Sequence, residues 1–223
     1  MPLVLYHTHP WDLSPAEARL LQDRLRDQVR EQPLELGAVK TVAGVDASYR
    51  GGVVRAAVVV LSFKTLQFVE QATCQRLVSY PYLPGLLSFR EAPAILAALA
   101  RLKALPDVLI VDGHGLAHPR RFGLACHLGV LLDIAAIGCA KSIFVGEAAP
   151  LGDELGSTSD LSLNGELVGL ALRTHQRARP VYISVGHRTD LPSALQVVLA
   201  CGRGYRLPEP VRLAHQLASQ SPA

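Results

Sequence analysis

The sequence predicts a single α/β domain, in which an antiparallel meander of three strands is followed by parallel strands in one mixed sheet flanked by helices. Its 223 residues are 49% hydrophobic, which is enough to bury one substantial core. Strand-forming segments come first, at 41–50, 53–63 and 66–73, and helical and strand patterns then alternate. We therefore expect one domain over residues 1–223.

An amphipathic helix is predicted over residues 14–31, before the meander. Ser14 and Glu17 have the spacing of a capping box, and Pro15 suits the first helical turn. Pro33 marks the end of the pattern. The apolar side chains recur every four positions, at Leu21, Leu25 and Val29.

Turn residues connect the strands of the meander to each other and to a second helix. Gly51-Gly52 lies between the first two strands and suits a tight hairpin turn. After a loop at Tyr80–Leu87, Ser88 is placed to cap a helix that carries Pro93 in its first turns. The apolar face of this helix contains Ile95, Leu96, Leu99 and Leu102.

The remainder of the chain alternates between strands and helices. Residues 107–112 form a continuous apolar run typical of a parallel strand buried on both faces, and the almost wholly apolar helix at 121–133 should pack against the sheet. In this order the first and fourth strands become neighbours, which places Asp46 beside Asp112. The further strands are expected at 134–138, near 144, at 167–173 and at 180–185, and the further helices at 190–201 and 209–218.

Composition argues against several other classes of protein. The sequence has no apolar run of about 18 residues and no signal-peptide pattern, so we expect a cytoplasmic protein without a membrane partner. The four cysteines are widely spaced and contain no Cys-x-x-Cys, which favours buried thiols over a zinc knuckle or a disulfide framework.

The formal net charge of +3 is too small to indicate a polyanionic partner by itself. Basic residues nevertheless concentrate near glycine- and proline-containing loops, where they could contact phosphates. Scattered, solvated surface charges are the alternative interpretation. The residues concerned are Arg90, Arg120, Arg121, Lys141, Arg188, Arg203 and Arg206.

Two acidic residues interrupt or end apolar strands. Asp46 lies within the strand at 41–50, where an unpaired carboxylate would be costly to desolvate. Asp112 ends its strand, at the edge where ligands collect in open α/β sheets. A lone aspartate commonly bonds to backbone amides, but two facing carboxylates repel each other unless a cation or a shared proton joins them. The pair therefore indicates a divalent-cation site.

Four segments of the sequence are distinctive: Val42-Ala-Gly-Val-Asp-Ala-Ser-Tyr49, Pro81-Tyr-Leu-Pro-Gly-Leu-Leu-Ser-Phe-Arg-Glu91, Asp112-Gly-His-Gly-Leu-Ala-His-Pro-Arg-Arg121 and Val185-Gly-His-Arg188. Together, in this order, they resemble the endonuclease V family, and the likeness extends from about residue 10 to about residue 218. A closing segment, Tyr205-Arg-Leu-Pro-Glu-Pro-Val-Arg-Leu-Ala-His215, matches as well. The resemblance implies a ribonuclease H-like fold and metal-dependent cleavage of nucleic acid near deaminated adenine.

The resemblance also implies an acidic catalytic site. Asp46 and Asp112 would bind Mg²⁺, for which Mn²⁺ could substitute because both ions accept oxygen ligands. Glu91 would reach the metal directly or through water, although an N-terminal glutamate can simply complement the helix dipole. Lys141 would contact the scissile phosphate or orient water, and His215 would coordinate a second ion or transfer a proton. A solvated lysine and a surface histidine are the simpler interpretations of these two residues.

A stiff loop, Pro81-Tyr82-Leu83-Pro84, precedes the flexible Gly85. Proline fixes the backbone, so such a loop can be inserted between bases at a low ordering cost. The resemblance implies a wedge, with Tyr82 stacked where the damaged base leaves the duplex. A turn whose tyrosine packs on the core is the alternative.

A pocket for an extruded base is the second element of recognition. Hypoxanthine carries a carbonyl oxygen and a ring N–H where adenine has an amine and an acceptor nitrogen, so backbone groups can distinguish the two bases. Gly85 and Gly123 could present such backbone groups. The pocket itself would be lined by Gly113, Gly115, Leu116 and His118.

The resemblance thus implies a magnesium-dependent enzyme that recognises deoxyinosine in DNA during repair of deaminated DNA, and we expect a monomer. The resemblance implies a cut at the second phosphodiester bond 3′ to the lesion, which leaves 3′-hydroxyl and 5′-phosphate ends. An inosine-specific endoribonuclease is the alternative, and a noncatalytic inosine-binding protein is disfavoured by the three acids. A dinucleotide site at Gly113-His114-Gly115 lacks the full glycine fingerprint, and a zinc site using His7 or His9 lacks a helical metal motif.

Overall fold

A nine-stranded sheet forms the centre of the computed structural model, which describes residues 3–220. The strands are β1 (Thr41–Arg50), β2 (Val53–Ser62), β3 (Phe68–Leu77), β4 (Val108–Val111), β5 (Ala135–Ala140), β6 (Glu147–Ala148), β7 (Thr158–Leu163), β8 (Glu166–Leu172) and β9 (Val181–His187). The α-helices are α1 (Pro15–Arg26), α2 (Leu87–Leu99), α3 (Leu124–Leu132), α4 (Leu191–Ala200) and α5 (Glu209–Ser219).

The sheet is mixed, as the sequence predicts. Its order is β3-β2-β1-β4-β5-β9-β8-β7-β6. The first three strands form the antiparallel meander, while β4 and β5 run parallel to β1. The predicted adjacency of the first and fourth strands is confirmed. Beyond β5, the strands β9, β8, β7 and β6 pair antiparallel.

Helices cover both faces of the sheet. On one face α2 and α3 pack on the small and β-branched side chains of the central strands; on the other face α4 and α5 do so. Because side chains alternate along a strand, β1 sends Val45 and Ala47 toward α2. It presents Gly44 to α5, where an added Cβ would overlap the backbone of Pro210. A glycine at this position therefore lets α5 approach β1 closely.

Three local predictions need correction. The first helix ends at Arg26 rather than residue 31, because the chain leaves it through Asp27, and Val29 packs on the core from outside the helix. Ser88 does not cap α2; it is the second helical residue and is buried. The strand near 144 is wrong: that segment is irregular, and a two-residue strand follows at Glu147–Ala148.

One strand, β7, was not expected from the sequence. It contains serine, aspartate and threonine, which have low or moderate strand preference, and Leu161 is its only fully buried residue. Its pairing with β8 stabilises it. The prediction of buried thiols is confirmed, since all four cysteines are free and buried. Within residues 3–220 we find no helix with the length and hydropathy needed to span a bilayer.

Candidate active site

Asp46 and Asp112 lie side by side because β1 and β4 are parallel and in register. Val45 pairs with Val111, and the amide of Asp112 donates to the carbonyl of Val45 at 2.9 Å. Asp46, within β1, and Asp112, directly after β4, each follow this last pair between the two strands, so the two carboxylates lie next to each other. Only 10% of each side chain is exposed.

Two further groups close this acidic pair into a compact cluster. Helix α5 carries His215, whose Nδ1 donates to Oδ2 of Asp46 at 2.7 Å. Lys141 follows β5, and its Nζ forms an ion pair with Asp112. Asp46, Asp112 and His215 each offer one ligand atom, and these atoms lie within 4.8 Å of one another. A single metal ion could therefore contact all three.

Electrostatics favour a cation at this position. Burial and the neighbouring carboxylate of Asp112 raise the pKa of Asp46, while His215 and Lys141 act in the opposite direction. The site therefore has a surplus of buried negative charge, and Lys141 compensates it only in part. Mg²⁺ and Mn²⁺ prefer oxygen ligands. A bound ion would also relieve the repulsion between the two carboxylates.

Glu91 stands next to this cluster, on the second turn of α2. It is 7% exposed, and burial together with the charges of Asp46 and Asp112 raises its pKa to about 8. The hydroxyl of Tyr49 donates to Oε1 of Glu91 at 2.9 Å. Sequence reasoning missed Tyr49, although alternation along β1 places it on the face covered by α2, together with Val45 and Ala47.

A cavity of about 250 Å³ adjoins the acidic cluster. Gly113, which lines it, directly follows Asp112, so the loop after β4 serves both sites. The predicted residues Tyr82, Leu83, Pro84, Gly85, Gly113, His118 and Gly123 line the cavity, and so do Gln22, Leu87, Ser88, His114, Leu124, Ser142, Ile143 and Phe144, which sequence reasoning missed.

Two of the predicted pocket residues lie behind the cavity wall. Gly115 packs so closely on β9 that a Cβ would overlap the carbonyl of Val185. Leu116 packs on an apolar cluster that contains Phe122 and Cys126. Gly115 and Leu116 therefore support the loop after β4 from the side that faces away from the cavity. The amide of Gly123 donates to the carbonyl of Gly115 at 3.0 Å and is thus engaged inside the protein.

The loop at 81–84 projects from the cavity rim. Tyr82 is 69% exposed, which excludes the alternative in which its ring packs on the core. Gly85 anchors the base of the loop: its carbonyl accepts from Gln22 Nε2 at 3.0 Å, Arg120 Nη2 at 2.6 Å and His118 Nε2 at 3.1 Å. Gln22 is 1% exposed and also accepts from Arg120 Nε at 2.6 Å. The amphipathic pattern of α1 gave no signal for this polar anchor.

Several of the basic residues near loops have partners inside the protein. Arg90 lies over the ring of Tyr49, with its Cζ 4.5 Å from the ring centroid. Arg188 pairs with Asp133 at 3.1 Å. The other intramolecular partners are Glu166 for Arg121, the carbonyl of Thr65 for Arg203 and the carbonyl of Lys141 for Arg206. These side chains brace loops around the site, and phosphate contact is not needed to explain them.

Comparison with known proteins places this arrangement in a family. The sequence pattern of the Endonuclease V family matches residues 23–216. The chain is 56% identical over 212 residues to an Endonuclease V of Roseiflexus castenholzii, with 95% of each sequence covered. The crystal structure of the Endonuclease V from Streptomyces avermitilis superposes with a TM-score of 0.90 at 43% identity, covering 98% of this chain and 96% of the other.

A third relative was solved with nucleic acid. The Endonuclease V of Ciona intestinalis was crystallised with a 24mer DNA containing an inosine followed by a ribo-adenosine. It superposes with a TM-score of 0.80 at 29% identity, and the match covers 91% of this chain and 95% of that one. Both crystal structures support the predicted fold class.

Proposed function

The chain belongs to the endonuclease V family, and on this premise we propose that it is a metal-dependent endonuclease that recognises deoxyinosine in DNA and hydrolyses the strand on the 3′ side of the lesion. The observation that carries the proposal is the cluster of Asp46, Asp112 and His215 beside a cavity. Cleavage at the second phosphodiester bond, with 3′-hydroxyl and 5′-phosphate products, belongs to the same proposal. Its biological role would be the repair of deaminated DNA.

In the proposed reaction Asp46 and Asp112 would hold the metal through their carboxylate oxygens. A bound Mg²⁺ or Mn²⁺ ion lowers the pKa of water and neutralises charge on the phosphate. His215 orients the carboxylate of Asp46 through its hydrogen bond. Lys141 brings its ammonium to the same place and can pair with a phosphate oxygen. Glu91, with a pKa near 8, can hold or release a proton at neutral pH.

The cavity and the exposed loop supply recognition in this proposal. Extrusion of hypoxanthine into the cavity would let the enzyme examine one base without reading its neighbours. Tyr82 would fill the gap left in the stack. The cavity and the acidic cluster are adjacent rather than superimposed, which supports a cut displaced from the damaged base.

The sugar of the substrate decides between this proposal and an inosine-specific endoribonuclease. Matched DNA and RNA oligonucleotides, each with one inosine, should be incubated with and without Mg²⁺. We expect metal-dependent cutting with preference for DNA. Preferential cutting of RNA would overturn the DNA assignment, and binding of inosine oligonucleotides without any cutting would favour a noncatalytic inosine-binding protein.

Five further statements belong to this proposal as predictions. Mg²⁺ is the working metal, for which Mn²⁺ substitutes. The enzyme is a monomer, it acts in the cytoplasm, and residues 1–223 form a single catalytic domain. Inosine-containing RNA is a secondary substrate.

A further inference from the structure

Behind the wall of the cavity, a chain of hydrogen bonds connects Ser88 to the N-terminal segment. The Oγ of Ser88 lies 2.9 Å from Nδ1 of His127, and Nε2 of His127 lies 2.7 Å from Nε2 of His9. The other ring nitrogen of His9, Nδ1, lies 2.8 Å from the carbonyl oxygen of Pro10. Four groups are thus joined in one line.

Two nitrogens 2.7 Å apart need one acceptor between them, and burial favours the neutral form of both histidines. His127 has no exposed surface, and aromatic rings surround it: the ring centroids of Trp11, Phe89 and Phe122 lie 5.2–5.4 Å from its own. Burial holds the pKa of His127 well below its usual value and also lowers the pKa of His9. A neutral imidazole carries one N–H and one acceptor nitrogen.

The carbonyl of Pro10, at the end of this chain of hydrogen bonds, then determines which nitrogen of each histidine carries the proton. A carbonyl can only accept, so His9 donates from Nδ1 and its Nε2 is an acceptor. His127 must therefore donate from Nε2, which leaves its Nδ1 as an acceptor. Ser88 consequently donates its hydroxyl proton to His127, and only lone pairs remain on Oγ.

We propose that Ser88 is a specificity-determining residue, held as a hydrogen-bond acceptor that receives the N1–H of hypoxanthine and meets the bare N1 lone pair of adenine unfavourably. Ser88 lines the cavity, and its other hydrogen-bonding capacity is already used. His9 and His127 are positioning residues that act through Ser88. This inference rests on the proposed function, because it assumes that the cavity takes the extruded base.

The test compares two single-lesion DNA duplexes, one with deoxyinosine and one with deoxynebularine, whose purine base has an acceptor at N1. We expect Ser88→Ala to lower the ratio of kcat/KM values, inosine over nebularine, by about tenfold, the usual effect of one hydrogen bond. His9→Ala should lower the same ratio, because His127 can then donate from Nδ1. In the Ser88→Ala background, His9→Ala should change the ratio no further.

Other outcomes separate the proposal from its premise. An equal loss on both duplexes, or additive effects of the two substitutions, would show a structural role only and would overturn the inference. Wild-type protein that fails to cut the inosine duplex would instead refute the proposed function. If Ser88→Ala does not fold, His9→Ala alone still tests the ratio.

The positions of the protons on His9 and His127 can also be measured without any substrate. ¹⁵N NMR of the histidine side chains should show the Nδ1–H tautomer for His9 and the Nε2–H tautomer for His127. The opposite tautomer of His127, or a charged ring near neutral pH, would overturn the inference even in a fully active enzyme.

Discussion

Asp46 and Asp112 explain at the residue scale why a sheet edge can become a metal site. Each carboxylate is nearly buried, and each raises the cost of charge on the other. Ordinary core packing does not retain such a pair. Lys141 compensates part of the charge, His215 donates a hydrogen bond to Asp46, and one ligand atom from each of Asp46, Asp112 and His215 lies within 4.8 Å of the others.

Removal of either aspartate should abolish catalysis without unfolding the protein. We expect Asp46→Ala and Asp112→Ala to lower kcat by about a thousandfold or more, because several kcal/mol of charge stabilisation is lost. Binding of inosine DNA should persist, since the cavity is intact. Single-turnover cleavage and binding assays check this, with Asp153→Ala, at a 99% exposed carboxylate, as the control. Full Mg²⁺-supported turnover by either variant would contradict the assignment.

Glu91 should make the metal-free protein less stable as the pH rises. Its pKa is raised to about 8 in the fold, above the ordinary value of 4.5, so between these values the folded state binds more protons than the unfolded state. The linkage slope is then negative, and stability falls from about pH 4.5 to pH 8. Denaturant titrations in EDTA at pH 5 and pH 8 should show this fall, and Glu91→Gln should reduce it. An unchanged slope in the variant would exclude Glu91 as its source.

At the element scale, close contacts between helices and strands place the functional side chains. Helix α5 can bring His215 to Asp46 only because Gly44 lets it lie against β1. Helix α1 likewise supplies Gln22, which joins the loop at 81–84, through Gly85, to the loop after β4. Residues remote from the chemistry therefore determine its geometry.

Gly44→Ala should displace α5 and with it His215. The added methyl would overlap backbone atoms of Pro210, which cannot move without the helix, and overpacking of this kind typically costs about 1–3 kcal/mol. We expect a lower melting temperature and a loss of cleavage that exceeds the loss of DNA binding. Gly37→Ala is the matched control, because an added Cβ there meets nothing within 4 Å. Equal behaviour of the two variants would refute this role of Gly44.

Gln22→Leu should loosen the loop at 81–84, which is anchored at Gly85. The carbonyl of Gly85 would lose one of its three donors, and Nε of Arg120 would lose its acceptor. We expect weaker binding of inosine DNA, by roughly tenfold, with little change in kcat at saturating DNA. Gln28→Leu, at an exposed position just after α1, serves as the control. If Gln22→Leu binds inosine DNA as the wild type does, the anchor is unnecessary.

At the scale of the whole molecule, the sequence correctly predicted the features that follow from the order and direction of the strands. The predicted adjacency of the first and fourth strands brings Asp46, within its strand, beside Asp112, at the end of the parallel neighbour. Prediction failed where distant elements meet: Gln22 and the line from Ser88 to His9 depend on helix packing that no local pattern encodes. The wrong prediction of a strand near 144 has the same cause. The apolar side chain of Phe144 lines the cavity and does not belong to a strand.

The central claim is that Asp46 and Asp112 share one divalent ion, and anomalous diffraction from crystals soaked in MnCl₂ tests it most directly. We predict a manganese peak within coordination distance of both carboxylates in the wild-type protein, and its loss in Asp112→Asn. A wild-type enzyme that cleaves inosine DNA with Mn²⁺ but shows no manganese between these two side chains would contradict the account.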